Sequence, residues 1–133
     1  MNRSQTRELA FKLLYQIEIQ KEITNENIEL FFESNDINSE QAQEYIKDVV
    51  LGIEEVSKEI TLMISKNLKE NWEIERVSKV NLALLKLAIY EINYKELPYK
   101  VVINEVVELA KKYGEETSHL FINGILASVV KEA

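Results

Sequence analysis

The chain has no cysteine, one histidine, one proline and three glycines among its 133 residues. Without cysteine there are no disulfide bonds, no thiolate metal ligands and no cysteine nucleophile. One histidine leaves no pair for acid/base catalysis or for a histidine-rich zinc site. A β-sandwich or barrel needs a turn every ~8 to 12 residues, and this chain has too few glycines and prolines to supply them. The composition therefore favours an all-α fold without a metal or other cofactor.

Long apolar runs are also absent. The longest candidate, VNLALLKLAIY, is interrupted by Lys86 and falls short of the ~18 to 20 residues that span a membrane. The first residues show no apolar run followed by small residues, as a secretory signal would. We therefore expect a cytoplasmic protein with no membrane partner. Apolar residues make up 46% of the chain, enough for one globular domain over 1–133, with helical halves at about 1–70 and 71–133.

The net charge of −7 is unevenly distributed along the chain. Residues 1–16 carry Arg3, Arg7 and Lys12 against Glu8, whereas residues 22–59 carry eleven acidic residues against two lysines. Two interpretations are open. The acidic residues can form a solvated surface beside incidental arginines, or the amino terminus can be a basic arm that meets an anionic partner.

Apolar residues recur at steps of three and four through most of the chain, which predicts helices. They number six to seven and form two antiparallel three-helix bundles that share one core. The longest apolar stripe, over residues 42–64, predicts a single helix of six turns capped by Ser39. Pro98 separates two later helices, and Gly114 ends the second of them. Trp72 lies between the two halves and is predicted to anchor the core.

The chain lacks the motifs of common enzymes. No glycine-rich phosphate loop of the GxGxxG or GxxxxGK type is present. Adjacent carboxylates such as Glu54 and Glu55 point to different faces of a helix. His119, in the first turn of the last helix, is typical of a capping or solvent-facing residue. The sequence therefore predicts a binding module. A small-molecule enzyme would instead need a ligand-sized cavity lined by carboxylates with perturbed pKa values.

Residues 85–129, LKLAIYEINYKELPYKVVINEVVELAKKYGEETSHLFINGILASV, closely resemble the NusB family of transcription antitermination factors. The segments RELAFKLLYQIE (7–18) and NWEIERV (71–77) are similar to the same family. The resemblance implies an all-helical factor, without catalytic turnover, that binds the boxA element of nascent ribosomal RNA jointly with the ribosomal protein NusE. With NusA and NusG, this complex modifies elongating RNA polymerase. The same fold occurs as the amino-terminal domain of some RNA cytosine methyltransferases, and the length of this chain indicates the free-standing factor.

The resemblance implies that the start of the first helix contacts RNA, and here that segment is Arg3, Ser4, Gln5, Thr6 and Arg7. Basic side chains at a helix start reach phosphates, and the helix amino terminus itself favours anions. Ser4, Gln5 and Thr6 stand where some members of the family place further arginines, so they offer hydrogen bonds without charge. We therefore expect weak RNA binding by the isolated protein, a salt slope of about two and a need for NusE.

The resemblance also implies an RNA contact near the start of the last helix. Phe121 is a candidate to stack on an unpaired base, and it is equally typical of a core position beside Ile125. Thr117 and Ser118 are candidates either for RNA contact or for helix capping. Position 120 is Leu120 where the family commonly has lysine, which removes a phosphate contact.

By the same resemblance, NusE binds mainly the carboxy-terminal half, where Glu75, Asn81 and Lys86 are predicted to be exposed. An acidic surface suits a basic ribosomal protein, since complementary charge speeds encounter. The alternative function is a helical adaptor that binds only proteins, with Arg3 and Arg7 incidental. A salt-dependent RNA interaction that disappears when both arginines are replaced would separate the two hypotheses.

Overall fold

The computed structural model describes residues 1–132. It contains seven α-helices, a 3₁₀ turn before the fifth helix and a π-helical turn directly after it. The prediction of an all-α fold with six to seven helices is confirmed. Within the same residues, none of the helices combines the length and hydrophobicity needed to cross a bilayer. The elements are α1 (Arg3–Gln20), α2 (Asn25–Ser34), α3 (Glu40–Glu55), α4 (Ser57–Lys66), the 3₁₀ turn (Ile74–Arg76), α5 (Lys79–Ile89), the π turn (Tyr90–Tyr94), α6 (Tyr99–Tyr113) and α7 (Ser118–Glu132).

The fifth helix lies at the centre of the molecule. Seven of its eleven residues are buried, and Leu84, Leu85 and Leu87 have no exposed surface. It packs against α1 from the first half of the chain and against α6 and α7 from the second half. A helix that is apolar on nearly every side has to be covered on nearly every side. The two halves therefore share one core, built around α5.

The apolar stripe over residues 42–64 belongs to two helices. Helix α3 ends at Glu55, and Val56 leaves the helical conformation, with φ −110° and ψ 24°, before α4 begins at Ser57. The prediction of a single six-turn helix is therefore wrong. The Val56 N–H still donates to the Gly52 carbonyl at 3.2 Å, so the break leaves that hydrogen bond in place. No proline or glycine marks the junction, which is why the apolar period does not reveal it.

The helix ends follow local capping rules. The hydroxyl groups of Thr24, Ser39 and Ser78 accept backbone hydrogen bonds at the starts of α2, α3 and α5. Helix α6 begins directly after Pro98 and ends before Gly114. The predicted cap at Ser39 and the predicted helix boundaries at Pro98 and Gly114 are confirmed.

Gly52 makes room for a tyrosine from the π turn. A Cβ atom on Gly52 would lie 2.1 Å from Tyr90 Oη and 2.4 Å from Tyr90 Cζ, closer than atoms can pack. Tyr90 is buried, its ring stacks on Tyr94 at 5.9 Å, and its hydroxyl donates to Asp48 Oδ1 at 3.0 Å. Burial and this hydrogen bond raise the pKa of Tyr90 to about 12. The missing side chain at position 52 thus allows α3 to pack directly on the end of α5.

Gly52→Ala is expected to destabilise the protein by about 1–3 kcal/mol, because the added methyl group overpacks the contact with Tyr90. Gly124→Ala is the matched control, since a Cβ atom there meets nothing within 4 Å. In the interior of α7 that change should stabilise the protein by about 0.5–1 kcal/mol. Urea unfolding of both variants measures the difference, and equal effects would contradict the packing of Tyr90 on α3.

The carboxylate of Glu8 ties α1 to the carboxyl end of α6. It accepts hydrogen bonds from Lys112 Nζ at 2.7 Å and from the Tyr113 hydroxyl. These hydrogen bonds, that of Lys112 first, hold the pKa of Glu8 below its ordinary value of 4.5. Because the folded carboxyl is the more acidic, its contribution to stability is present above pH 4.5 and is lost as the pH falls through the lower, folded pKa.

Glu8→Gln is expected to lower the melting temperature at pH 7 and to have progressively less effect as the pH falls below about 4. The reason is that wild-type Glu8 itself becomes protonated on the acid side. Differential scanning calorimetry at pH 7 and in acid measures this, with Glu44→Gln, at an exposed position of α3, as the control. An effect of the same size at both pH values would contradict the pKa shift.

Candidate nucleic-acid interface

The amino-terminal arm, residues 1–7, is helical from Arg3 onward. Asn2 and Gln5 form a capping box: Asn2 Oδ1 accepts from the Gln5 N–H at 2.8 Å, and the Asn2 N–H donates to Gln5 Oε1 at 2.9 Å. The guanidinium of Arg3 is exposed and lies 4.2 Å from the centroid of the Tyr45 ring. The arm therefore presents this cation from a structured helix start.

Arg7 lies inside the protein, with 4% of its side chain exposed. Its Nε and Nη2 donate to the two carboxylate oxygens of Glu91 at 2.6 and 3.2 Å, and its Nη1 donates to Glu105 Oε1 at 2.7 Å. Glu91 belongs to the π turn and is 1% exposed. The structure contradicts the expectation that Arg7 reaches phosphates, because two carboxylates already hold its guanidinium.

Further side chains complete this ionic cluster around Glu91. The Tyr45 hydroxyl donates to Glu91 Oε2 at 3.0 Å, and the Ser4 hydroxyl donates to Glu105. Burial, and then the charge of Glu91, raise the pKa of Tyr45, which keeps its phenol protonated as a donor. Burial alone would lower the pKa of Arg7, but its bonds to the carboxylates and their charges outweigh burial and raise it. The cluster joins α1, α3, α6 and the π turn at one place.

The uncharged residues of the arm are also engaged within the protein. Gln5 belongs to the capping box, and the buried Thr6 donates its hydroxyl to the Asn2 carbonyl at 2.9 Å. The structure brings Arg3, Ser4 and Gln5 to the surface and turns Thr6 and Arg7 inward. The predicted arm therefore offers a phosphate one cation rather than two.

A cleft of about 260 Å³ lies between the amino ends of α5 and α7. Its walls include the rings of Trp72 and Phe121, whose centroids are 5.2 Å apart and whose planes are tilted by 60°. Trp72 is 39% exposed, so the prediction that it anchors the core is wrong. It instead covers Phe121 from the solvent side. The polar residues that line the cleft include Arg76, Asn81, Glu115, Thr117 and Ser118.

The residues predicted near the start of α7 meet at this cleft. Phe121 is half-buried, because its ring packs on the core and also lines the cleft. Thr117 is exposed, whereas Ser118 is buried and its hydroxyl accepts from the Glu115 N–H at 2.9 Å. A Cβ atom on Gly114 would lie 2.7 Å from Ser118 Oγ, so this turn requires glycine. The cleft thus presents Phe121 and Thr117 to a ligand, while Ser118 shapes the loop.

The residues predicted to contact NusE differ in exposure. Glu75 is exposed on the 3₁₀ turn. Asn81 is half-buried beside the cleft, and Lys86 has 14% of its side chain exposed. Lys86 Nζ donates to Glu18 Oε2 at 2.6 Å. The expectation that Asn81 and Lys86 are exposed is therefore contradicted, because both lie on the central helix α5.

Sequence reasoning missed Tyr45, Arg76 and Glu91. Glu91 does carry a signal, since an acidic residue within the apolar segment LAIYEI has to find a cation once that segment is buried. The identity of that cation depends on the packing of α1 against α5, which the sequence does not display. Tyr45 and Arg76 carry no comparable signal, because their roles arise only where separate helices meet.

The chain matches the model of the NusB family over residues 4–131. A transcription antitermination protein NusB of Acetivibrio thermocellus is 49% identical over 132 residues, covering 98% of this chain and 90% of that protein. The structure of T. maritima NusB superposes with a TM-score of 0.88 at 34% identity, covering 99% of this chain and 92% of that one. A chain from the crystal structure of the antitermination factors NusB and NusE in complex with double-stranded RNA gives a TM-score of 0.88 at 29% identity, covering 100% of both chains.

These matches extend over nearly the whole chain, and with the helical fold they define its class as a transcription factor rather than an enzyme. More particularly, the chain belongs to the NusB family of transcription antitermination factors. The resemblance that rested on residues 85–129 is thereby confirmed.

Arg7→Ala is expected to destabilise the protein by about 3–5 kcal/mol, because it leaves Glu91 buried without its cation. The double variant Arg7→Met, Glu91→Leu removes both charges and should recover most of that loss. Denaturant unfolding at pH 7 measures each variant. Arg3→Ala is the control and should change the unfolding free energy by less than about 1 kcal/mol. A double variant as unstable as Arg7→Ala would contradict the account of the ion pair.

Proposed function

We propose that this protein is an antitermination factor that binds the boxA element of nascent ribosomal RNA together with NusE. In this function the complex, with NusA and NusG, acts on elongating RNA polymerase. The observation that carries the proposal is the match of the chain, at a TM-score of 0.88, to a chain from the complex of NusB, NusE and double-stranded RNA.

In this proposal the RNA meets two surfaces at opposite ends of α5. The ion pairs of Arg7 with Glu91 and of Lys86 with Glu18 set α1 antiparallel to α5. Arg3 therefore lies towards the carboxyl end of α5, and the cleft lies at its amino end. A rise of 1.5 Å per residue separates these ends by roughly 15–20 Å. A single strand of several nucleotides is long enough to reach both.

The two surfaces supply different interactions. Arg3 and the amino terminus of α1 attract a phosphate group, because both carry positive charge. Trp72 and Phe121 offer aromatic faces on which an unpaired base can stack, and Arg76 adds a cation at the cleft. Two cations give a salt slope of roughly 1.4 for a single strand, which corresponds to weak binding by the isolated protein. This low charge is the physical reason to expect that NusE strengthens RNA binding.

Charge also supports a basic protein partner. The acidic residues are concentrated in residues 22–59. Glu75 is also exposed, and it precedes Arg76, which lines the cleft. Complementary charge would accelerate the encounter with a ribosomal protein. Glu75, Asn81 and Lys86 stay predictions as NusE contacts, with Glu75 the most accessible of the three.

Fluorescence anisotropy of labelled boxA RNA, compared with a scrambled RNA, tests the proposal at low and at physiological salt, with and without NusE. Wild type is expected to select boxA and to bind it more tightly when NusE is present. Arg3→Ala should weaken binding and reduce the salt slope by about 0.7. Trp72→Ala should cost about 1–3 kcal/mol of binding and leave the salt slope unchanged, since stacking releases no counterions.

Two exposed residues of α4 provide matched controls: Lys58→Ala removes a cation, and Leu62→Ala removes an apolar side chain that is 62% exposed. Neither change should alter the affinity for RNA. Equal, weak binding of boxA and scrambled RNA in the presence of NusE would contradict the proposal. The alternative, a helical adaptor that binds only proteins, would then take its place.

A further inference from the structure

Among the side chains of residues 1–132, one buried polar atom has no hydrogen-bond partner, and it is the oxygen of Asn81. Buried polar atoms are nearly always paired, because the lost bond to water is otherwise not replaced. An unpaired acceptor of this kind calls for an explanation. One explanation that fits the position of Asn81 is a ligand that donates a hydrogen bond to its side-chain oxygen.

Asn81 lies in the first turn of α5, where its own backbone N–H already has an acceptor. The Asn81 N–H donates to Ser78 Oγ at 3.2 Å, so Ser78 caps the helix, and the carboxamide oxygen of Asn81 makes no hydrogen bond at this helix start. The side chain of Asn81 lines the cleft together with Trp72, Arg76 and Phe121. An amide turns easily about its last side-chain torsion, which is broad, so its oxygen can be presented to a donor that enters the cleft.

We propose that Asn81 is a base-reading residue, which accepts a hydrogen bond from an N–H group of one unpaired nucleobase held in the cleft. The inference rests on the proposed function and specifies what this part of the site recognises. Trp72 and Phe121 contact the face of the base, and Arg76 meets the adjoining phosphate. Glu115 also lines the cleft, so the phosphate has to lie on the side of Arg76, away from that carboxylate.

The geometry favours a base over a protein side chain. The rings of Trp72 and Phe121 contact each other, with 5.2 Å between their centroids, so a flat ring system can stack on an exposed aromatic face but not between the two rings. Every RNA base carries an N–H donor on its pairing edge, and in a duplex that donor is already used. The site therefore selects a single strand over a duplex, and it distinguishes a base with a free N–H from the same base with that N–H methylated.

The test uses labelled twelve-nucleotide RNAs in pairs: oligouridine with oligo-N3-methyluridine, oligocytidine with its N4,N4-dimethyl form, and oligoadenosine with its N6,N6-dimethyl form. Each pair is titrated at low salt with the full-length protein in the presence of NusE. For at least one pair, wild type should bind the unmethylated RNA about tenfold more tightly. Asn81→Ala should bind both members of that pair equally.

Asn25→Ala, at an exposed position at the start of α2, is the matched control and should keep the tenfold discrimination. Thermal unfolding verifies that Asn81→Ala is folded, and its melting temperature should not fall, because the lost oxygen makes no bond. The inference is overturned if wild type binds both members of every pair equally, or if Asn81→Ala still discriminates between them. It is also overturned if Asn81→Ala weakens NusE binding alone, a result that would support the other prediction for Asn81, contact with NusE. Absence of binding to every one of these RNAs also overturns the inference. Absence of binding to boxA RNA, titrated under the same conditions, would instead contradict the proposed function, and the inference with it.

Discussion

The buried ion pair between Arg7 and Glu91 constrains how the helices of this protein pack against one another. Both side chains are withdrawn from water, and neither charge is tolerable there without the other. The pair therefore fixes how α1 lies against α5, and Glu105 on α6 and Tyr45 on α3 join the same cluster. A few charge-assisted hydrogen bonds hold α1 and α3, from the first half of the chain, against the π turn and α6 from the second half. The apolar core supplies most of the stability, and the ionic cluster fixes the positions of the helices relative to one another.

This constraint shapes the surface that the protein offers to RNA in the proposed function. Pairing Arg7 with carboxylates removes a cation from the arm, and the Asn2 and Gln5 capping box fixes the arm as the first turn of α1. Few cations with fixed positions favour selectivity over raw affinity, since the sequence-independent part of RNA binding scales with neutralised phosphates. Aromatic contact at the cleft, 5.2 Å between the rings of Trp72 and Phe121, supplies stacking that salt does not screen. In the proposed function, NusE is then expected to supply the further positive charge that RNA binding needs.

Local features were predictable from the sequence, and features made by distant contacts were not. Ser39, Pro98 and Gly114 marked helix ends correctly because a cap or a backbone restriction acts within a few residues. The family resemblance predicted RNA contacts at the arm and at the start of α7, and these stay predictions. The burial of Arg7, the exposure of Trp72 and the unpaired oxygen of Asn81 all depend on where other helices lie. The sequence around an arginine near a helix start does not show whether its side chain will face solvent or bind a carboxylate 84 positions away, as Arg7 binds Glu91.

Nuclear magnetic resonance of the arginine side chains distinguishes Arg7, which is held inside the fold, from Arg3, which meets the RNA in the proposed function. The chain has arginine only at positions 3, 7 and 76, so their Nε–H signals can be resolved and assigned. At neutral pH the Nε–H of Arg7 should be visible and slow to exchange with solvent, because it donates to Glu91 at 2.6 Å. On addition of boxA RNA with NusE, that signal should stay in place while the signal of Arg3 shifts. An Arg7 signal that exchanges as fast as that of Arg3, or that moves when RNA binds, would contradict the account.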